Sequence, residues 1–398
     1  MAKGGKDRAA GTRLVTGGRR SEWTGAAVNP PVWRTSTHLY ESSADLAAGR
    51  PNADGHFYYG RRGTPTQWAL ADALTELEPG AEGTVLYPSG VAAIAGALLT
   101  VLKPGDVLLV TDNAYEPTRN LANGFLKRFG IETRFFDPLD LDAYAALFCE
   151  RTSAVMLESP GSLTMEVSDV PALARIARER GAASVIDNTW ASALGFPALA
   201  HGCDISVMSL TKHVGGHSDL MMGSASAGAE WHARLRLCAQ QLGNVVSPDD
   251  ASLALRGLRT MGVRLAHSTA AALKIATWLE ARAEVARVLC PMLPGAPGHD
   301  LWARDFTGGC GLFSVVLAKG GIEARARFVD ALELFGIGYS WGGYESLVVP
   351  FEAKRTITRV PDADLASGDG AAIRFSVGLE DPDDLIADLE QAFAAMEN

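Results

Sequence analysis

The 398-residue chain lacks several features that mark whole classes of protein. It has no run of the roughly 18 consecutive apolar residues that a membrane-spanning helix needs. No apolar segment follows its basic first twenty residues, so we expect no secretory signal. It contains neither a G-x-G-x-x-G fingerprint nor a P-loop, which leaves a nicotinamide or ATP enzyme with little support. The formal net charge of −10 argues against a broad nucleic-acid-binding face.

Cysteine is sparse and irregularly spaced, without a C-x-x-C pair. The five cysteines are Cys149, Cys203, Cys238, Cys290 and Cys310. They indicate buried thiols in a reducing compartment, and we expect a cytoplasmic protein. No metal site is expected, because Gly215-Gly216 between His213 and His217 disfavours the single helical face that their spacing needs. Cys310 has no accompanying histidine pattern, which favours a packed thiol over a nucleophile.

What is present is a regular alternation of short apolar runs and helical patterns. Apolar residues make up 47% and charged residues 21% of the chain, which is typical of a globular protein, and the length predicts two or three domains. Helices are predicted at 91–102 and 170–180. Strands are predicted at 84–87, 107–111, 154–158, 183–187 and 205–208. This order predicts an α/β fold with a mostly parallel sheet covered by helices on both faces.

Changes in composition divide the chain into three parts. A polar, turn-rich opening occupies residues 1–62, the alternating section 63–255, and a smaller α/β section 256–398. In the last of these we predict a long helix from about 265 to 289. Strands follow at 311–317, 346–349 and 373–377, and a final helix begins at Pro382 after an Asp381 cap.

Lys212 is the first candidate for chemistry, because it follows the apolar strand 205–208 in the run Ser209-Leu210-Thr211-Lys212. An ammonium at the end of a buried strand is costly unless it is paired or consumed chemically. Lysine shifts its pKa readily when buried, which suits it to Schiff-base formation. The hydroxyls of Ser209 and Thr211 can donate to a phosphate. The pattern predicts a lysine that holds pyridoxal phosphate.

Asp187 and the segment around Gly90 support that cofactor. Asp187 ends the strand 183–187, and a buried carboxylate keeps the pyridoxal ring nitrogen protonated, as an electron sink requires. A helix-capping aspartate and a surface lysine are the alternative, which the phosphate-binding signals disfavour. Ser89-Gly90-Val91 joins a strand to a helix, so the N–H groups of Gly90 and Val91 point outward at the positive end of the helix dipole.

Three further residues have weaker signals. Tyr115 follows the strand 107–111 and can stack on a cofactor ring, although a structural loop tyrosine is the ordinary alternative. Arg374 is a charge within the apolar run 373–377, which favours binding of a substrate carboxylate. Arg61, in Tyr59-Gly60-Arg61, can neutralise a phosphate or can belong to an ordinary basic loop, and spacing alone does not decide.

Taken jointly, these segments resemble the Cys/Met-metabolism family of pyridoxal phosphate enzymes, and within it most closely the bacterial cystathionine β-lyases. The resemblance runs from about Thr12 to the C-terminus. The motifs that carry it are Tyr59-Gly60-Arg61, Pro88-Ser89-Gly90, Ala114-Tyr115-Glu116-Pro117, Leu157-Glu158-Ser159-Pro160-Gly161-Ser162, Ile186-Asp187-Asn188-Thr189, Ser209-Leu210-Thr211-Lys212, Leu255-Arg256-Gly257-Leu258-Arg259-Thr260 and Ser340-Trp341-Gly342-Gly343-Tyr344-Glu345-Ser346-Leu347.

The resemblance implies fold type I of the pyridoxal phosphate enzymes, which is aspartate aminotransferase-like. An N-terminal arm (1–62) would contact the neighbouring subunit. A large cofactor domain (63–255) and a small C-terminal domain (256–398) would follow. The resemblance also implies a homotetramer, a dimer of dimers with shared active sites.

Residue roles follow from the same resemblance. Lys212 would be the Schiff-base lysine and Asp187 the partner of the ring nitrogen, with Tyr115 stacked on the ring and acting as a candidate base for the substrate amine. The phosphate would be bound by Gly90, Val91, Ser209 and Thr211, and from the neighbouring subunit by Tyr59 and Arg61. The substrate would contact Arg374, Ser340, Trp341 and Tyr59, with the first two on its α-carboxylate.

The implied activity is cleavage of the Cβ–S bond of L-cystathionine to homocysteine, pyruvate and ammonia, a step of methionine biosynthesis. Val91 departs from the methionine common in relatives. Gly161-Ser162 replaces the Thr-Asn of many γ-acting relatives and, with Trp341, is shared with the β-lyases. A γ-lyase or γ-synthase, a broader cysteine or cysteine-conjugate β-lyase, and a non-catalytic regulator on the same fold remain alternatives. An aminotransferase is disfavoured.

Overall fold

The computed structural model describes residues 8–49, 55–352 and 371–396. Parts of the predicted N-terminal arm (1–7 and 50–54) and of the predicted C-terminal domain (353–370 and 397–398) lie outside the described residues. Within those ranges the chain forms fourteen α-helices and twelve β-strands, arranged in two sheets. No helix in the same ranges is long and apolar enough to cross a membrane.

The larger sheet has seven strands in the order β1-β7-β6-β5-β4-β2-β3. Its strands are β1 Gly83–Tyr87, β2 Val107–Thr111, β3 Glu132–Phe136, β4 Thr152–Glu158, β5 Ala183–Asp187, β6 Ile205–Ser209 and β7 Gly223–Ala227. The pairs β2–β3, β2–β4, β4–β5 and β5–β6 are parallel, which confirms the predicted mostly parallel sheet. The exception is β7, which is antiparallel to β1 and β6. Its small, polar sequence GSASA gives no apolar strand signal, and it was not predicted.

The helices lie on both faces of this sheet and around the smaller one. They are α1 Ala10–Thr16, α2 Ser21–Thr24, α3 Ser43–Ala47, α4 Pro65–Leu77, α5 Gly90–Val101, α6 Glu116–Asn120, α7 Leu141–Ala146, α8 Val170–Glu179, α9 Ser192–Gly195, α10 Ala229–Leu242, α11 Pro248–Glu280, α12 His299–Asp305, α13 Gly321–Ala331 and α14 Pro382–Met396.

Alternate residues of β2 show how the sheet is buried on both sides. Val107 and Leu109 pack in the core that contains α4, α8 and α11, whereas Leu108 and Val110 pack in the core that contains α5 and α10. All four side chains are fully buried. A strand covered on both faces needs apolar residues at every position, and this explains the continuous apolar runs of the sequence.

The smaller sheet has the strand order β10-β11-β12-β9-β8. Its strands are β8 Val285–Leu289, β9 Leu312–Leu317, β10 Gly336–Ile337, β11 Leu347–Glu352 and β12 Ala371–Ser376. The helix predicted at 265–289 was wrong at both ends. Helix α11 begins at Pro248 after the Ser247 cap and ends at Glu280, while 285–289 is a strand paired with β9. The N-terminal signals Ser247, Pro248 and Asp249 were present in the sequence but were not used. Helix α11 runs without a break across the predicted domain boundary at 255/256.

The carboxyl ends of the parallel strands bring the candidate residues together. Glu158 at the end of β4 is in register with Asp187 at the end of β5, and Asp187 with Val207 of β6. Lys212 follows three residues after the end of β6. Ligands of open α/β sheets bind at this edge, beyond the strand ends.

Candidate active site

A cavity of about 980 Å³ opens at this edge of the large sheet. The predicted site residues that line it are Gly90, Val91, Tyr115, Asp187, Ser209, Thr211, Lys212, Trp341 and Arg374. They come from both sheets and from the N-terminus of α5. Segments nearly three hundred residues apart in sequence therefore share one pocket.

Lys212 contacts the loop between β10 and β11 of the smaller sheet. Its ammonium donates a hydrogen bond of 2.6 Å to the Ser340 hydroxyl and lies 5.4 Å from the centroid of the Trp341 ring. Burial and the nearby Arg374 charge lower the pKa of Lys212 to about 8, against the opposing effect of Asp187. About one tenth of such lysines are neutral at pH 7, a far larger fraction than for an ordinary lysine of pKa about 10.4, and nucleophilic attack requires the neutral form.

Asp187 faces the cavity with one oxygen satisfied. Thr189 donates to Oδ1 twice, from its backbone N–H at 3.0 Å and from its hydroxyl at 2.5 Å. No donor in the described part of the chain contacts Oδ2. Burial raises the pKa of Asp187, while the Thr189 hydrogen bonds and Lys212 oppose that rise. A buried carboxylate with one open acceptor suits the protonated nitrogen of a pyridinium ring.

Another part of the cavity lining is suited to bind an anion. The Ser89 side chain accepts from the Ala92 N–H and caps α5, which leaves the N–H groups of Gly90 and Val91 outside the helical bonding pattern. A Cβ on Gly90 would lie 2.8 Å from the Ser209 Cβ, so the close approach requires glycine.

Thr211 has partners already, because its hydroxyl donates to the Met222 carbonyl and accepts from the Met222 N–H. As a phosphate donor it would have to exchange the first of these bonds. Gly90, Val91 and Ser209 carry no such restriction. These three therefore fit a phosphate more directly than Thr211 does.

Arg374 projects from β12 into the same cavity. One guanidinium nitrogen donates to the Ser340 carbonyl at 2.9 Å, while Nε is buried and has no hydrogen-bond partner among the described residues. Burial lowers the pKa of Arg374 to about 10, so it remains a cation at neutral pH. A buried cation with an unpaired donor fits a substrate carboxylate.

Tyr115 is the N-cap residue of α6, and its side chain is 42% exposed beside the cavity. Burial, Asp187 and Glu158 raise the pKa of Tyr115, and Arg374 opposes them. The side chain is therefore a neutral phenol at neutral pH. Stacking on a ring is compatible with this state, whereas action as a base requires that bound substrate and cofactor lower the pKa.

Tyr59 and Arg61 lie outside this cavity. Tyr59 is 45% exposed, and Arg61 donates to the Gln240 carbonyl at 2.7 Å beside a separate cavity of about 800 Å³. A Cβ on Gly60 between them would lie 2.3 Å from the Thr35 carbonyl oxygen, so this turn requires glycine. Their expected contribution to a neighbouring subunit stays a prediction.

Glu158 lines the cavity and was missed as a site residue. It accepts a hydrogen bond of 2.6 Å from the Tyr115 N–H. Its position directly after an apolar run is the same signal that identified Asp187. Leu163 and Met165, also missed, line the cavity with φ of 66° and 58°, and no sequence signal distinguishes them.

His213 has a structural environment. It is buried, lies 3.1 Å from the Trp190 carbonyl through Nε2, and burial lowers its pKa to about 4. In the described ranges no group of three or more His, Cys, Asp and Glu side chains is arranged to hold a metal ion. Cys310 is a buried free thiol whose pKa is raised by burial.

The fold and the cavity define a pyridoxal phosphate enzyme of fold type I. The family described as Cys/Met metabolism PLP-dependent enzyme matches residues 11–394, and the chain belongs to this family. The cofactor predicted from Lys212 and Asp187 is thereby confirmed.

Three known proteins are similar to this chain over nearly its whole length. It is 44% identical to cystathionine β-lyase MetC of Escherichia coli over 392 residues. This match covers 98% of this chain and 99% of the relative. It is 37% identical over 394 residues to the L-alanine/L-glutamate racemase of Wolbachia pipientis, which covers 96% of each. The crystal structure of metB from Corynebacterium glutamicum superposes with a TM-score of 0.87 at 29% identity, over 98% of this chain and 99% of that one.

Proposed function

We propose that this enzyme is a carbon–sulfur β-lyase that cleaves L-cystathionine, with consumption of water, to homocysteine, pyruvate and ammonia. The observation that carries the proposal is the near-full-length likeness to the E. coli cystathionine β-lyase. The joint position of Lys212, Asp187 and Arg374 in one cavity supports it, because each can perform a step that the reaction needs.

When bound, pyridoxal phosphate supplies the electron sink that stabilises negative charge at the substrate Cα. Asp187 holds the proton of the ring nitrogen through its open Oδ2. Gly90, Val91 and Ser209 bind the phosphate, and Tyr115 stacks on the ring. Together these residues fix the plane in which the substrate bonds are arranged.

One cation, Arg374, orients the substrate, and one amine, Lys212, moves its protons. Arg374 binds the α-carboxylate, and Ser340 holds Arg374 and Lys212 in a common frame. The neutral Lys212 amine removes the Cα proton, and the resulting ammonium returns that proton to the sulfur as the Cβ–S bond breaks. The elimination therefore leaves Lys212 in its starting protonation state.

The proposed assembly is a cytoplasmic homotetramer whose paired subunits share active sites. Tyr59 and Arg61, which lie outside the cavity of their own chain, would contact the phosphate and substrate of a neighbouring subunit. The exposure of Tyr59 on one chain supports this arrangement.

The test is one assay that separates the products. Purified enzyme is incubated with L-cystathionine, L-cysteine and L-methionine, and thiol and keto-acid products are scored separately. We expect homocysteine and pyruvate from cystathionine at a higher kcat/KM than for the other two substrates, and no turnover by Lys212→Ala. Formation of α-ketobutyrate would identify a γ-acting enzyme, and faster pyruvate release from cysteine would identify a broader β-lyase.

A racemase is the second candidate, favoured by the likeness to the Wolbachia enzyme. Racemisation also removes the Cα proton, but it returns a proton to the opposite face and expels no leaving group. L-Alanine and L-glutamate in deuterated water distinguish the two. Deuterium at Cα with inversion, without pyruvate from cystathionine, would favour the racemase over the lyase.

A further inference from the structure

Two carboxyl side chains from neighbouring strands line the cavity. Glu158 ends β4 and Asp187 ends β5, and their Cα atoms are paired in register on neighbouring parallel strands. Adjacent parallel strands lie about 4.8 Å apart, and registered residues point to the same face. When both carboxylates are ionised they repel each other, and the weak solvation of Glu158 strengthens that repulsion.

The surroundings decide which of the two keeps its proton. Asp187 receives two hydrogen bonds from Thr189 and is attracted by the Lys212 charge, and both favour its ionised form. Within the described ranges Glu158 receives one hydrogen bond, from the Tyr115 N–H. Arg119 is the cation that acts on Glu158, but it donates to the Asp112 carbonyl at 3.4 Å.

The pKa of Glu158 agrees with these hydrogen-bond partners and charges. Burial first, and then the Asp187 charge, raise the pKa of Glu158 well above its ordinary value, while the Tyr115 N–H and Arg119 oppose the rise. Among the described residues, the charged groups with the largest effect on this carboxyl are Asp187 of β5 and Arg119 of α6. The phenol of Tyr115 stands beside both carboxyls and is neutral.

We propose that Glu158 is a positioning residue that remains protonated at neutral pH, fixes Tyr115 through the Tyr115 N–H, and leaves Asp187 as the single carboxylate toward the cofactor ring. The inference rests on the proposed contact between Asp187 and the ring nitrogen. An ionised Glu158 would offer the ring a second, misplaced negative charge. A neutral Glu158 avoids this and still accepts the Tyr115 N–H through its carbonyl oxygen.

Replacement by glutamine separates this role from a general structural one. Glutamine is neutral, is similar in shape and keeps an oxygen acceptor, so Glu158→Gln should hold the cofactor with a Kd within about threefold of the parent enzyme. Leucine offers no acceptor and leaves the Tyr115 N–H unpaired, so Glu158→Leu should weaken the cofactor by about tenfold or more. Glu116→Gln changes an exposed carboxylate beside Tyr115 and is the matched control.

The protonation state is read directly by infrared difference spectroscopy on the holoenzyme at neutral pH. We expect Glu158→Gln, but not Glu116→Gln, to remove a carbonyl band of a protonated carboxylic acid. Asp187→Asn removes the repelling charge and lowers the pKa of Glu158, so the band should be lost at a lower pH than in the parent enzyme.

The proposal is overturned if Glu158→Gln leaves the carbonyl band in place. It is also overturned if the Gln and Leu variants raise the cofactor Kd equally. If Glu158→Leu does not fold, the Gln variant and the spectrum still decide. Spectra of the apoenzyme isolate the assumption about Asp187. A Glu158 band in the apoenzyme, together with an unchanged cofactor Kd in Asp187→Asn, would reject the ring contact while leaving the protonation of Glu158 established.

Discussion

The Lys212 ammonium donates a 2.6 Å hydrogen bond to the Ser340 hydroxyl, and the same Ser340 accepts a 2.9 Å hydrogen bond from Arg374 at its carbonyl. One residue of the β10–β11 loop therefore connects the lysine beyond β6 with the arginine of β12. Ser340 has φ of 80°, in the left-handed region that costs a non-glycine residue of order 1–3 kcal/mol. This strain is tolerated where the surrounding contacts fix the backbone.

Removing the Ser340 hydroxyl should impair Lys212 without emptying the site. A hydrogen bond to a charged group contributes about 1.5–3 kcal/mol, so we expect Ser340→Ala to lower kcat/KM for cystathionine by roughly 10- to 100-fold. The cofactor should still bind, because Gly90, Val91 and Asp187 are unchanged. Steady-state kinetics and the cofactor absorbance of the purified variant check both statements.

Ser340→Gly is the control for backbone strain. Glycine accepts φ of 80° without penalty but also lacks the hydroxyl. If the hydroxyl is the cause, the alanine and glycine variants should be similarly impaired. Full activity of the glycine variant would assign the alanine effect to strain.

Arg374 should act on substrate affinity. Its substitution by glutamine removes the cation opposite the α-carboxylate, and we expect KM to rise by about 30-fold or more, as loss of a charge-assisted pair of about 2 kcal/mol implies. Arg374→Lys keeps the charge but loses the planar, two-pronged guanidinium. Its KM should therefore lie between those of the parent enzyme and Arg374→Gln. An unchanged KM in Arg374→Gln would exclude this residue from the carboxylate site.

The large sheet could be predicted because its residues carry a strong local signal. Both faces are buried, so β2 and β5 appear as unbroken apolar runs, and their bounds at 107–111 and 183–187 agree with the structure. The start of α14 at Pro382 was equally legible, and the Asp383 N–H donates to the Asp381 side chain. Strand β7 could not be found in this way, because its stability comes from pairing with β1 and β6.

The candidate site shows the same division. Asp187 ends one apolar strand and Lys212 follows another by three residues, and both positions can be recognised from the sequence alone. The bond from Lys212 to Ser340 joins residues 128 positions apart and depends on how the two sheets pack. Glu158 had the same local signal as Asp187, but its significance lies in the register of β4 with β5. Such pairings are properties of the assembled fold.

The lowered pKa of Lys212 should be visible when the apoenzyme binds its cofactor. Attack on the aldehyde requires the neutral amine, so the rate of attachment should rise with pH. It should reach half of its plateau at a pH of about 8. For a lysine of ordinary pKa this midpoint would be about 10.4. Because Arg374 lowers this pKa, Arg374→Gln should move the midpoint to higher pH. Stopped-flow absorbance across a pH series measures it, and a midpoint near that of free lysine would contradict the lowered value.

Gly90 should be intolerant of any side chain. A Cβ there would lie 2.8 Å from the Ser209 Cβ and 2.9 Å from its hydroxyl oxygen. We expect Gly90→Ala to destabilise the protein by about 1–3 kcal/mol through overpacking and to weaken cofactor binding by about tenfold or more. Gly124→Ala is the control, because no atom of the described residues lies within 4 Å of its Cβ position and its φ is not positive. Thermal unfolding and cofactor titration check the pair, and equal behaviour of both variants would contradict the packing argument.

Mixed oligomers test whether Arg61 serves a neighbouring site. Arg61→Ala and Lys212→Ala should each be nearly inactive alone. In a mixed dimer, the subunit that keeps Lys212 would receive an intact Arg61 from its partner, so one of the two sites is complete. Random mixing makes half of the dimers mixed, and about one quarter of the parent activity should return. The activity should return only when the two variants are unfolded and refolded together, because mixed dimers form only when subunits exchange. No recovery from refolded mixtures shown to contain mixed dimers would mean that Arg61 does not act across a subunit boundary.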